Sequence, residues 1–390
     1  MILLLIVIFV LIFVKQLRII SKYKTYFYIF ISSFFVKLLL LILSENNIIV
    51  LVEGGADTIN FVLESLKIYN NKDFFGFLTY SNPEGTFPYL LSMVYALTYP
   101  SHLVILFIGI LLHNSIIIKI SKILDFFYLN KRNKFFLVLL ISFFPLMLSY
   151  SVILLREIFY IWYITIVCCN IVQFNYRKKI ESSYIFLCLT SIILIFLHIG
   201  NLAIVFGTFI LFFKLNRFVK YSLISLLIFG FSYLVVNKMA TSYVNKYSLT
   251  ETDLFVSKIN ASREFSPAYY KKYYSSSMLN NVFFALPVDY INFYFKPFIY
   301  PISNVYRRLF RYPYGLLSLY SFLIVLRNYR NVGSNEKKML LLLLIGMFPY
   351  VIGSGDLFQA VRHRMNFFPQ IIILIAMFNQ NHKSEYKYGK

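Results

Sequence analysis

Residues 102–134 read HLVILFIGILLHNSIIIKISKILDFFYLNKRNK, and the two halves of this stretch decide the class of the protein. From His102 to Ile118 there is no Asp, Glu, Lys or Arg, whereas from Lys119 to Lys134 five basic residues stand against one acid, Asp125. A helix over the apolar half would rise about 25 Å, close to the roughly 30 Å of hydrocarbon in a bilayer. An apolar run of this length that ends in a basic loop reads as a membrane span leaving on the cytoplasmic side.

The same punctuation recurs along the chain. Apolar runs extend from Ile2 to Val14, Thr25 to Ser44, His102 to Ile118, Phe135 to Leu154, Ile158 to Phe174, Tyr184 to His198, Asn201 to Asn216, Tyr221 to Asn237, Pro313 to Leu326, Met339 to Gly353 and Asn366 to Asn379. The expected fold is therefore all-α, a polytopic transmembrane bundle of about 11 spans (10 to 12) by the length criterion for a span. It is read as a single integral membrane domain over residues 1–390, with no internal repeat and no linker. Composition agrees: 59% of the chain is hydrophobic and 14% charged, where a soluble domain carries about 25% charge. The first run has neither a basic leader nor a small-residue cleavage site, so it reads as a retained anchor. Lys37, inside the second run, is expected to snorkel toward an interface.

The formal charge of +22 raises the question of a nucleic-acid partner. Placing the short loops alternately on two sides answers it. One side, holding residues 15–24, 119–134, 175–183, 214–220, 327–338 and the tail from Gln380, collects 22 basic residues against 4 acidic ones. That side is cytoplasmic by the positive-inside rule, which puts the amino terminus outside and the carboxyl terminus inside. The charge is accounted for by topology, and no nucleic acid is needed.

Two long segments fall on the outer side. Residues 45–101 carry six acids and two bases, and residues 238–312 carry ten bases and four acids. The second holds Tyr-rich stretches, Tyr269 to Tyr274 and Phe283 to Tyr300, expected to lie on the outer surface as interfacial helices. Cys168, Cys169 and Cys188 sit inside apolar runs and read as packing residues. No CxxC, His-rich tract or HExxH occurs, so a structural zinc site or a zinc protease has no support. His102 and His113 read as packing or interface residues. His198, Gly200 and Asn201 mark a tight outer turn.

Candidate chemistry gathers in the outer segments. Gly54 and Gly55 give a turn, and Asp57 then opens an amphipathic run with Ile59, Phe61, Val62, Leu66 and Ile68 apolar. Asp57 is either an N-cap, for which Asp is a preferred residue, or a general base or metal ligand held just outside the bilayer, with Glu53 its nearest partner carboxylate. Arg156 and Glu157 stand together at the outer end of the fourth run. They read either as a structural ion pair or as a site in which the planar fork of Arg156 holds phosphate. Arg362, His363 and Arg364 follow GSGD just outside the last run, and Arg307, Arg308 and Arg311 stand beside Tyr306 and Tyr312. Each group serves equally as a membrane-flanking anchor. Three basic groups on the side opposite the positive-inside bias favour a phosphate-binding role for some of them.

The order of these features, GGADTINF at 54–61 and then GTFPYLLSMVYALTYPSH at 85–102 leading into a span, resembles membrane glycosyltransferases of the C type, which use polyprenyl-phosphate-linked sugars. FFPLMLSYSVILLREIFYIWYITI at 143–166, PVDYINFYFKPFIYPISN at 287–304 and AVRHRMNFFP at 360–369 are similar to stretches of members linked to surface polysaccharide assembly. The resemblance implies a catalytic Asp57 in the first outer loop, with Glu53 beside it. It implies a donor on polyprenyl (di)phosphate, a glycan or lipid-linked acceptor, and a place in the bacterial inner (cytoplasmic) membrane beside other polysaccharide-assembly proteins. The repeat-unit polymerase of the O-antigen type is the specific case that fits the size and the large outer loop. The chain departs from better-known members in lacking a paired Asp in the first loop and a soluble outer domain. A divalent metal near Asp57 is therefore compatible with the pattern but not required by it.

A transporter or flippase of lipid-linked oligosaccharide is the rival class, and it predicts ionisable groups at mid-membrane and matching halves. In this sequence nearly all charge sits at the ends of runs, and no two halves match. An acyl or phospho-group transferase would need a His-centred pair on the outer side, which the linear sequence does not display.

Overall fold

The computed structural model describes residues 2–46, 48–49, 55–75, 86–153, 155–177, 201–212, 291, 293–295, 305–328, 333–353 and 362–379. The described residues are helical, with no strand among them. The helices are α1 (Ile2–Ile20), α2 (Lys24–Glu45), α3 (Gly55–Asn71), α4 (Phe87–Leu97), α5 (His102–Leu124), α6 (Lys131–Phe143), α7 (Pro145–Val152), α8 (Glu157–Arg177), α9 (Asn201–Phe212), α10 (Val305–Asn328), α11 (Ser334–Gly353) and α12 (Phe368–Phe378). Among them α2 and α5 are long and apolar enough to cross a membrane, and the α6–α7 pair makes a third crossing if it is one span. The apolar runs at 184–198 and 221–237, and most of the segment 238–312 with its Tyr-rich stretches, lie outside the described residues.

Two boundaries differ from the linear reading. The run from Phe135 to Leu154 is broken, with a 42° bend between α6 and α7. Pro145 has no N–H to continue the ladder, and it drives Phe144 out of the helical region, to φ −61° and ψ 126°. The helix around the run from Pro313 starts earlier, at Val305, so Arg307, Arg308 and Arg311 are helical and Pro313 lies inside α10. Among the described residues of 45–101 are two helices, α3, on the amphipathic run read in the sequence, and α4, which pack on each other.

The chain divides into two compact units, residues 1–199 with 324–336 and 368–390, and residues 200–323 with 337–367. In the first, α5 is the central element, packing against α1, α2, α6, α7, α8 and α12. Ile116, Ile117, Ile120, Ile123 and Leu124 of α5 are buried, as is every residue of α12. With lipid outside, apolar burial adds little drive to helix association, and close packing and interhelical hydrogen bonds take its place. The Ser33 hydroxyl donates to the Ser142 carbonyl at 2.8 Å, the Gln16 amide to the Leu111 carbonyl at 2.9 Å, and the Trp162 indole to Ser115 Oγ at 3.1 Å. A Cβ on Gly109 would sit 2.8 Å from the Ser151 carbonyl oxygen. Because that neighbour is backbone, no side-chain rotation relieves the clash, and α5 meets α7 this closely only with glycine there.

Lys37 does not snorkel. Eight residues separate it from the end of α2, about 12 Å of helix, more than its stem spans. It is fully buried, and its ammonium nitrogen donates to Asn114 Oδ1 at 2.5 Å. His113, the next residue back on α5, is also fully buried, with Nε2 3.0 Å from the Ile141 carbonyl oxygen. Two residues read as incidental, Lys37 and His113, thus belong to one polar joint between α2, α5 and α6.

In the second unit, α9 lies against α11. A Cβ on Gly207 would approach Ile345 Cγ2 to 3.1 Å, and one on Gly346 would come within 2.6 Å of the Phe367 ring. Gly346 gives Phe367 its room, and Phe367 follows directly on the Arg362 to Met365 helical turn.

Candidate functional site

The backbone of α3 begins at Gly55, so Asp57 stands in the first turn of the helix and not at its N-cap. Either position suits a carboxylate, since the unsatisfied N–H groups of a first turn and the helix dipole favour negative charge. Phe61, Ser65 and Ile68 form the buried stripe of α3, while Ile59 and Leu63 are exposed. Asp57 occupies the position one turn before Phe61 on that stripe. α3 ends cleanly: Lys72 takes a left-handed φ of 55°, and the Asp73 N–H reaches back to the Ile68 carbonyl at 3.2 Å. Glu53 lies outside the described residues, as does the side chain of Asp57.

Phe61 joins three elements. Its ring meets Phe87 of α4 edge-on at 5.0 Å, and Phe87 meets Phe159 of α8 at 5.8 Å. Through this cluster the start of α8 is held against α3. The Arg156 guanidinium lies over the Phe61 ring, 5.8 Å from its centroid, within cation–π range. The structure therefore packs Arg156 on Phe61, which stands one turn along α3 from Asp57 although Arg156 and Asp57 are 99 residues apart in sequence. Arg156 is partly exposed, while Glu157, the first residue of α8, is fully buried at the positive end of that helix. Thr86 precedes Phe87, and its hydroxyl is buried without a hydrogen-bond partner. The described part of this region is thus the Arg156 guanidinium on the Phe61, Phe87 and Phe159 rings, beside the starts of α4 and α8.

The basic turn of the second unit does not act as one group. Arg362 and His363 are partly exposed, and the His363 ring lies 4.9 Å from Tyr350. Arg364 is fully buried. Its guanidinium donates to the Tyr294 carbonyl and lies between the rings of Tyr314, at 5.0 Å, and Phe293, at 5.8 Å. The Tyr314 hydroxyl returns a bond to the Arg364 carbonyl at 3.0 Å, and the Tyr294 hydroxyl pairs with Ser321 Oγ at 2.5 Å. Burial pulls the Arg364 pKa down to about 10, with Tyr314 and Tyr294 opposing the shift, so it stays charged at neutral pH. This arginine ties the 362–365 turn to α10, and of the two arginines Arg362 is the more exposed. Arg364→Lys should lower thermal stability in detergent by on the order of 2 kcal/mol or more, the scale of a desolvated cation–π contact and a charged hydrogen bond. Activity per folded molecule should stay near wild type. Normal melting with lost activity would instead put a ligand on Arg364. Arg307 and Arg308 are placed on α10, with their side chains outside the described residues.

The fold also supplies a pair that the linear reading lacked. His102 Nε2 stands 2.7 Å from Glu45 Oε2, joining the start of α5 to the end of α2. Both side chains are partly exposed, at 45% and 35%, so the pair contributes little to stability. The signal in the sequence was that Glu45 ends one span and His102 begins another on the same side. Among the described residues no three His, Cys, Asp or Glu side chains group as metal ligands. A metal beside Asp57 involves side chains outside the described set. Cys168 and Cys169 are buried in α8, as packing residues are. Comparison of the chain with protein-family models, curated proteins and solved structures finds no match.

Proposed function

We propose that this chain is a membrane glycosyltransferase acting at the outer face on polyprenyl-(di)phosphate-linked sugars in surface polysaccharide synthesis, with a repeat-unit polymerase of the O-antigen type as the favoured case. The observation that carries this reading is the approach of Arg156 to α3 one turn from Asp57. In the proposed reaction the Asp57 carboxylate takes the proton of an acceptor hydroxyl as its oxygen bonds to the anomeric carbon. The bond from that carbon to the phosphate oxygen breaks, and the polyprenyl (di)phosphate leaves with the electron pair. Arg156 neutralises the charge growing on the leaving group. Glu157 positions Arg156, and Glu53 is a further candidate beside the carboxylate. A divalent metal near Asp57 would serve the same phosphate.

The same proposal includes about 11 spans in a bacterial inner membrane, with the amino terminus outside. It is supported by α2, α5 and the bent α6–α7 pair, and by the basic loops. Cysteine labelling of intact cells should reach Cys at Ser81 and Ser276 and should miss Cys at Asn130 and Asn335. Labelling at Asn130 would reverse the orientation and remove Asp57 from the outer face. The activity itself is tested with purified protein, a polyprenyl-diphosphate oligosaccharide and gel separation of products. A ladder of polymer supports the polymerase, a single added sugar a simple transferase, and no transfer neither.

A transporter or flippase of lipid-linked oligosaccharide is the second reading. Burial of Lys37 within α2 favours it, because ionisable groups at that depth are typical of transport pathways. Carrier-linked oligosaccharide moving across proteoliposomes without any new glycosidic bond would establish it.

A further inference from the structure

The joint of Lys37, Asn114 and His113 stands apart from the outer site and does not depend on sugar transfer. Lys37 is eight residues from the nearer end of α2, and His113 is the midpoint of α5. All three side chains are fully buried. The bond from Lys37 Nζ to Asn114 Oδ1 is the one hydrogen bond that Lys37 makes among the described residues, and Asn114 Nδ2 has no partner. A carbonyl only accepts, so the contact with Ile141 puts the His113 proton on Nε2 and leaves a lone pair on Nδ1, which is buried without a partner. The joint thus contains two bases and one amide.

Among the described residues it contains no acid. α2 packs against α1, α5, α6 and α7, and α5 also packs against α8 and α12. There is no Asp or Glu in α1, α5, α6, α7 or α12. The acid of α2, Glu45, is at its end with His102, and that of α8, Glu157, is at its start. α1 brings Gln16, whose amide nitrogen is bonded to Leu111, and Lys15 and Arg18, which are exposed. α6 brings Lys131, Arg132 and Lys134 in its first turn, the last on Asp125, and α7 brings buried Tyr150. His113 directly precedes Asn114, the partner of Lys37, so the two bases lie near one another. An ammonium here would face one neutral oxygen in place of its water shell, a cost that a single amide does not repay.

We propose that this joint is a proton-binding site in the membrane interior, where Lys37 rests as a neutral amine on Asn114 and takes up one proton, and where His113 and Lys37 are never charged together. The ligand is the proton, and the element that senses it is the packing of α2 on α5. On protonation the ammonium gains donors, and the lone pair of His113 Nδ1 is the acceptor nearest in sequence to Asn114 that could meet them.

The test uses the full chain in nanodiscs with lysine labelled by nitrogen-15, because amine and ammonium nitrogens resonate apart. At about pH 7.5 one amine-type Nζ signal is expected. It should vanish in Lys37→Met and become ammonium-type in Asn114→Asp, where a carboxylate holds the proton. In thermal unfolding the unfolded chain takes up a proton that the fold does not hold, so stability falls as pH falls. The unfolding constant of wild type should rise about tenfold per pH unit relative to Lys37→Met. Only ammonium-type signals between about pH 6 and 9, or equal pH slopes in wild type and Lys37→Met, would overturn the proposal. If Lys37→Met does not fold, the amine signal and its conversion in Asn114→Asp decide it.

Discussion

Asp57→Asn should remove nearly all sugar transfer, by about 10²- to 10⁴-fold, the range for loss of a positioned general base, while membrane level and melting behaviour stay near wild type. The size of the effect separates the two roles open to this residue. At its position in the first turn of α3, a carboxylate that merely complements the helix dipole contributes about 0.3–1 kcal/mol. An Asn in the same turn forfeits at most that, and with the helix otherwise unchanged transfer would continue. A loss of 10²-fold corresponds to about 2.7 kcal/mol in the barrier, beyond what the dipole can explain. Polymer yield and chain length, read on gels from cells matched for protein level, give the answer. Full-length polymer at normal yield from Asp57→Asn would leave the residue a helix-start carboxylate only.

Arg156→Lys carries the second large effect. Lysine keeps the positive charge and much of the contact with the Phe61 ring, so a flanking anchor would tolerate it. It loses the planar fork that grips two phosphate oxygens at once. A hydrogen bond to a charged group is worth about 1.5–3 kcal/mol, so transfer should fall by roughly ten- to a hundredfold or more. The deficit should appear in turnover at saturating donor, because the charge on the leaving group grows in the transition state. Arg362→Lys made in parallel tests the exposed arginine of the second unit on its own. Unchanged transfer in both would leave these arginines structural.

Asp57 and Arg156 also show where sequence stops. Asp57 was visible as the carboxylate that opens an amphipathic run between two apolar runs, and Arg156 as a charge at the end of one. Their approach was not visible. It depends on Phe61, Phe87 and Phe159, three rings among 43 phenylalanines with nothing in sequence to single them out. Arg362 and Arg364 looked equivalent two residues apart. One helical turn directs them to different sides, and the ring pair of Phe293 and Tyr314 buries only the second. Lys37 looked like a residue that would reach for water, and Asn114, 77 positions away, gave it a partner inside.

By itself the sequence determined the all-helical class and the presence of helices apolar enough to cross a membrane. These follow from hydropathy and charge, which are local sums that lipid reads one segment at a time. It also marked a minority of the loop charges as candidates. Only the tertiary structure decided that the run at 135–154 bends at Pro145, that His102 meets Glu45, that Arg364 is a tie and Arg156 a neighbour of α3, and that Lys37 shares a joint with His113. Each of these is a contact between distant residues, set by close packing of helices, and in a chain this uniformly apolar the hydrophobic pattern does not say which face meets which.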